Sequence, residues 1–212
     1  MNEPPDAHGT PDSSDKQAST QKQGRAEATQ RILAAARALF VEQDPESVPI
    51  RRIAEMANVN HALVHRYFGT KDKLLAAVLE QEAEFFAGVV DQCKDADPAA
   101  RALFDALLDR GDFVTMLTRA TLSGRSATRR SFESGALHRL VAKVGDAEPV
   151  GPVGAGDPRH AVAAYAALIL GWSVFREFLA AAVFLDEEEM DGVTEHVRAA
   201  ATSLLKQFPA AT

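Results

Sequence analysis

The side chains best suited to chemistry lie close together in residues 60 to 71, and they are of the types that contact nucleic acid. Asn60, His61, His65 and Arg66 supply hydrogen-bond donors and acceptors. In a helix, His61 and His65 would lie one turn apart on one face, which is also the spacing of a helical metal pair. The segment HALVH lacks the glutamate of the zinc motif HExxH, so DNA bases and phosphates are the favoured partners and no metal is expected.

The charge of the chain is divided in a way that suits contact with a polyanion. The net charge is −7, yet residues 22 to 75 carry nine Lys and Arg against six acids. Residues 76 to 212 carry thirteen against twenty. A basic segment joined to an acidic body indicates that one part meets a polyanion while the rest stays in solution.

The residues around the polar cluster predict two short helices joined by a tight turn. Pro49 suits the first turn of a helix, and apolar residues follow it at helical spacing. Residues 58 to 60 interrupt this pattern, and Asn60 is a good N-cap for the next helix. Thr70 can cap a long fourth helix. This arrangement predicts a helix-turn-helix whose second helix presents its outer face to the DNA major groove.

Helical periodicity also runs through the rest of the chain. Residues 1 to 21 show no apolar period and predict a disordered tail. A first helix is expected from Arg25 to near Gln43. Five more helices are expected after the fourth, at residues 98–109, 112–122, 126–144, 158–185 and 186–208, with a flexible loop at 146–157. The fold class is therefore all-α, with about nine helices.

Residues 47 to 80, SVPIRRIAEMANVNHALVHRYFGTKDKLLAAVLE, resemble the DNA-binding region of transcription regulators of the tetracycline-repressor (TetR) family. The shared positions are Ile53, Ala54, Ala57, Val59, Tyr67, Phe68, Lys71, Leu74 and Leu75. Three positions depart from the usual pattern. Asn58 replaces a glycine, Leu63 a threonine and His65 a tyrosine, so the operator that the chain reads must differ from those of better-known relatives.

The resemblance assigns roles in DNA binding. It implies that His61, Ala62 and His65 contact bases, and that Tyr67 and Lys71 contact phosphate in a double-stranded DNA operator. Tyr67 could instead be a core aromatic that closes the domain. The implied organisation is a helix-turn-helix domain at residues 22–70 and a helical effector-binding and dimerisation domain at residues 71–212.

The resemblance also implies an effector cavity and a homodimer formed by the last two helices. The expected cavity lining is apolar and suits a small hydrophobic or amphipathic effector. It comprises Phe86, Phe104, Phe113, Met116, Leu117, Trp172 and Phe175. A set of cationic side chains could orient an anionic effector instead, namely Arg119, Arg125, Arg129, Arg130, His138 and Arg176. No cofactor is expected.

Other functional classes find little support in the sequence. It contains no Gly-rich phosphate loop, no GxSxG motif and no metal-spaced Cys/His set, so an enzyme is not expected. The longest charge-free stretch, Ala161 to Phe175, spans 15 residues, and a membrane-spanning helix needs roughly 20. With no signal peptide recognised, the expectation is a cytoplasmic protein without a membrane partner. The alternative function is an effector-independent DNA-binding protein of low sequence specificity.

Overall fold

Nine helices make up the part of the chain that the computed structural model describes, which is residues 13–123, 135–146 and 157–206, with side chains from residue 22 onward. They are α1 Ser13–Glu42, α2 Ile50–Met56, α3 His61–Phe68, α4 Lys71–Asp91, α5 Ala96–Asp109, α6 Gly111–Leu122, α7 Ala136–Gly145, α8 Pro158–Ala182 and α9 Glu187–Lys206. The described residues contain no strand, and the all-α prediction is confirmed.

The first helix is longer than the sequence predicts. It begins at Ser13, so residues 13 to 21 are helical where a disordered tail is predicted. These residues include Lys, Gln and Ala, which favour helix, and no proline. Residues 1 to 12 lie outside the described residues. So do most of the predicted loop at 146–157 and the first part of the helix predicted at 126–144.

The predicted helix-turn-helix is confirmed in its local details. Asn58 has a φ of 51°, the left-handed conformation that Asn tolerates better than most residues. The Asn60 side chain accepts a hydrogen bond from the Ala62 N–H at 2.9 Å and caps α3. Thr70 caps α4 in the same way. These caps fix where the recognition helix begins and where the next helix starts.

Helix α4 belongs to both halves of the molecule. Near its start, Leu74 and Leu75 are buried and the helix packs against α1. Toward its end, Phe86 and Val90 are buried and the helix packs against α5 and α7. A single helix therefore contributes to the cores of both halves.

Helix α8 is the central element of the C-terminal body and packs against α5, α6, α7 and α9. Tyr165, Ile169 and Trp172 are buried. Burial raises the pKa of Tyr165, so its hydroxyl stays protonated and donates to the Ala100 carbonyl of α5.

By length and composition, α8 is also the one described helix that could cross a membrane, although the sequence predicts no such segment. Its two charged residues near the end, Arg176 and Glu177, account for the difference.

A buried carboxylate ties α4 to its neighbours. Glu82 is 5% exposed and forms ion pairs with Arg37 of α1 at 2.8 Å and with Arg110, between α5 and α6, at 2.9 Å. Arg37 also pairs with Asp112 of α6 at 2.7 Å. We call these four residues the ion cluster. It connects α1, which packs against the helix-turn-helix, to the α5–α6 corner of the body.

We expect Glu82→Gln to lower the free energy of unfolding by about 2 kcal/mol. Loss of the carboxylate charge leaves Arg37 and Arg110 without their shared partner. Removing one member of a buried pair costs roughly 3–5 kcal/mol, and the partial exposure of both arginines lowers that figure. Urea denaturation followed by circular dichroism measures the change. The exposed Glu80 on the same helix provides the control Glu80→Gln, and equal stability losses for the two variants would contradict the role of Glu82.

Candidate DNA-binding surface and effector cavity

The outer face of α3 presents the residues predicted to read bases. His61, Ala62, His65 and Arg66 are exposed, whereas Val64 is buried against the core. Because α3 is amphipathic, with Val64 as its buried anchor, these four side chains face away from the rest of the domain. The structure therefore places all three predicted base-contact residues on one accessible surface.

The ring of His65 is held in a defined orientation. Its Nδ1 lies 3.2 Å from the carbonyl oxygen of Gly69, at the end of the same helix. A carbonyl only accepts, so neutral His65 carries its proton on Nδ1 and offers Nε2 as an acceptor. An acceptor at this point matches the amino groups of adenine or cytosine in the major groove.

Tyr67 packs partly as the core aromatic considered as its alternative role, and its ring also lies between two cations. Its ring is half-buried and packs against the core, yet it is flanked by the guanidinium groups of Arg25 and Arg66 at 5.3 and 5.2 Å from the ring centre. Arg25 lies near the middle of α1 and Arg66 near the end of α3, and both are exposed. Sequence reasoning missed Arg25 as a candidate phosphate contact, because nothing local in the sequence connects residues 25 and 67.

Lys71 has a structural contact besides its predicted role at phosphate. Its Nζ donates to the carbonyl oxygen of Glu46 at 2.6 Å and lies 3.9 Å from the Glu46 carboxylate. The contact fastens the α1–α2 connection to the start of α4. An ammonium group has three N–H donors, so this contact leaves donors for a phosphate.

An apolar cavity of about 460 Å³ lies in the body, between α4, α5, α6, α7 and α8. Fifteen residues line it, and most are aliphatic or aromatic. They are Ala83, Phe86, Leu103, Leu107, Phe113, Leu117, Thr118, Thr121, Leu122, Gly135, Ala136, Leu137, Ala166, Ile169 and Leu170. The volume is within the range of small-molecule sites, roughly 300–1,000 Å³.

The cavity contains only part of the predicted lining. Phe86, Phe113 and Leu117 belong to it, whereas Phe104, Met116, Trp172 and Phe175 do not. Phe104 is fully buried in the core, with the Arg198 guanidinium of α9 5.4 Å from its ring centre.

The other three residues miss the cavity for reasons of helix geometry. Met116 precedes Leu117, and one residue turns the side chain by about 100° around α6. Trp172 is buried in the core. Phe175 is 55% exposed on the outer face of α8. Hydrophobicity alone could not separate these positions from the lining.

The predicted cationic alternatives do not line the cavity among the described residues. Arg119 instead donates to the Val41 carbonyl of α1 at 2.6 Å. His138 is exposed on α7, and Arg176 lies on α8 outside the lining. Arg125, Arg129 and Arg130 lie outside the described residues.

An exposed recognition helix, joined by one long helix to a helical body with an internal cavity, defines a DNA-binding transcriptional regulator. Comparison with known proteins identifies which kind. Residues 32–78 match the family described as bacterial regulatory proteins, tetR family. The chain belongs to the TetR family of transcriptional regulators, which are DNA-binding proteins and not enzymes.

Relatives support this placement along most of the chain. It is 36% identical over 186 residues to the HTH-type transcriptional repressor Rv3405c of Mycobacterium tuberculosis, covering 86% of this chain and 92% of that protein. The crystal structure of the transcriptional regulator SCO4942 of Streptomyces coelicolor matches with a TM-score of 0.60 at 26% identity, over 84% of this chain and 96% of that one. A TetR-family structure from Mesorhizobium loti matches with a TM-score of 0.61 at 17% identity, over 88% and 98%, and supports the fold alone.

We expect His65→Ala to relax base preference at one operator position. Loss of the Nε2 acceptor removes about 1 kcal/mol of discrimination, or roughly fivefold, while phosphate contacts and non-specific affinity stay unchanged. His61→Ala should relax a different position. Affinity for each member of a library of operator variants gives the base preference of each variant protein at every position. His138→Ala, at an exposed histidine of α7, is the control, and a His65→Ala profile identical to wild type would remove His65 from the base-reading set.

Proposed function

We propose that the protein is a cytoplasmic repressor that binds a double-stranded DNA operator as a homodimer and releases it when a small hydrophobic or amphipathic effector occupies the cavity. Regulators of this family bind DNA operators and are typically homodimers. The name of the mycobacterial relative, a transcriptional repressor, supports repression as the output. The proposed base contacts are His61, Ala62 and His65, and the proposed phosphate contacts are Tyr67 and Lys71.

The observation that carries the effector proposal is that the cavity walls and the ion cluster share helices. On α4, Ala83 lines the cavity next to Glu82 of the cluster. On α6, Phe113 lines the cavity next to Asp112 of the cluster. A molecule that separates α4 from α6 therefore strains ion pairs to Arg37 of α1, in the DNA-binding half.

The energy that this coupling must supply is modest. An effector that binds the DNA-free conformation better by about 1–3 kcal/mol lowers operator affinity by roughly 5- to 150-fold. Two recognition helices on one dimer amplify a change in their separation, because both must fit half-sites about 34 Å apart.

The dimer proposal is supported by an exposed apolar stripe on α8. Phe175, Phe178 and Leu179 follow one another at helical spacing, and Val183 continues the stripe directly after the helix; Phe178 is 69% exposed. Exposed patches of this kind mark interaction surfaces. A two-fold interface on this stripe would bring two copies of the same surface together.

Binding of the purified protein to fluorescent DNA from the region upstream of its own gene, at two salt concentrations, tests the proposed function. We expect specific binding, weaker at the higher salt because phosphate contacts release counterions, and no specific binding to scrambled DNA. Equal, salt-sensitive binding to both DNAs would favour the effector-independent binder of low specificity. No binding to either at low salt would contradict the DNA-binding surface.

We expect Phe178→Asp to weaken the homodimer by about 30-fold or more, as for a residue that contributes at least 2 kcal/mol to an interface. Specific DNA binding should fall with it. Analytical ultracentrifugation measures the dimer, and circular dichroism verifies that the helices persist. Met56→Asp, at an exposed apolar residue of α2, should leave the dimer intact. A fully dimeric Phe178→Asp variant would exclude the stripe as the interface.

A further inference from the structure

The walls of the cavity offer a ligand very little polar chemistry. Among the described lining residues no side chain is charged, and the only polar side-chain groups are the hydroxyls of Thr118 and Thr121. Two nearby cations have other partners, since Arg110 pairs with Glu82 and Arg119 donates to the Val41 carbonyl. Against these described walls, a charged ligand would lose hydration without gaining a counter-charge.

Both hydroxyls already use their single proton. Thr118 Oγ1 donates to the Val114 carbonyl and Thr121 Oγ1 to the Leu117 carbonyl, each at 2.8 Å. A hydroxyl has one donor hydrogen and two acceptor lone pairs, so each oxygen keeps only acceptor capacity toward the cavity. The two residues are three apart on α6 and lie on the same face, which makes them a pair of adjacent acceptors beside the apolar lining; Thr118 is half-buried and Thr121 is exposed.

We propose that the cavity selects an uncharged, mainly apolar molecule that carries one hydrogen-bond donor, such as a phenol or an alcohol, and that this donor is bound by Thr118 and Thr121. The inference rests on the proposed function in taking this cavity as the effector site. It narrows the effector class, because the described walls offer ions no counter-charge and offer a molecule without a donor no hydrogen bond to these two hydroxyls.

Four probes of one shape separate these classes. They are 4-hexylphenol, its methyl ether 4-hexylanisole, the anion 4-hexylbenzoate and the cation 4-hexylbenzylammonium. In calorimetric titrations of the full chain without DNA, we expect 4-hexylphenol to bind best. The methyl ether, which cannot donate, should bind about three- to tenfold more weakly, the equivalent of one neutral hydrogen bond. Both ions should bind roughly 100-fold or more weakly, because a buried unpaired charge is costly.

Matched threonine variants test where the donor binds. Replacing Thr118 and Thr121 together with valine keeps the shape of the wall and removes both acceptors. The ratio of the two dissociation constants, 4-hexylanisole over 4-hexylphenol, should fall to about one, while 4-hexylanisole binding persists. Thr115→Val is the control, because Thr115 makes the same type of bond, to the Gly111 carbonyl at 3.0 Å, but does not line the cavity.

The proposal is overturned if either ion binds as tightly as 4-hexylphenol, if the double variant keeps the preference, or if none of the four probes binds. A separate assay of operator release by the same probes tests the proposed function. Binding of 4-hexylphenol without release of DNA would count against the proposed function and leave the ligand class intact. Release of DNA by 4-hexylbenzoate would count against the ligand class and leave the proposed function intact.

Discussion

The arrangement of the molecule depends on one buried carboxylate. Glu82 lies midway along α4 and is shared by an arginine of α1 and an arginine at the α5–α6 corner. A carboxylate in this position is stable only while both guanidinium groups stay within reach, because an unpaired buried charge is costly. The constraint fixes the rotation of α4 relative to α1 and α6. The recognition helix takes its place from the same constraint, since α3 leads through the Thr70 cap directly into α4.

The α3 surface and the cavity depend on opposite physical interactions. The α3 surface consists of exposed polar and cationic side chains, the types that bind phosphates and base edges in water. The cavity depends on the exclusion of water from aliphatic and aromatic walls. The ion cluster ties α1 to α4 and α6, two helices that also line the cavity. Under the proposed function, a hydrophobic event in the body would therefore displace polar groups at the DNA.

The DNA-binding half was predictable from sequence and the cavity was only partly so, for a physical reason. Caps and turns are local, so Asn58, Asn60 and Thr70 reveal their roles within a few residues. Cavity lining depends on how five helices rotate against one another. Leu117 and Met116 are equally apolar neighbours, yet only the first reaches the space. The stacking of Arg25 on Tyr67 is likewise invisible until α1 and α3 are packed together.

The apolar character of the cavity gives the two sites opposite responses to ionic strength. Rising salt weakens the attraction between cationic side chains and DNA. The binding of an uncharged ligand in an apolar cavity is insensitive to charge screening. Salts that are excluded from protein surfaces, such as phosphate, favour burial of that ligand. Under the proposed function, rising salt and the effector therefore both lower operator occupancy. Less effector would then release the DNA at high salt than at low salt.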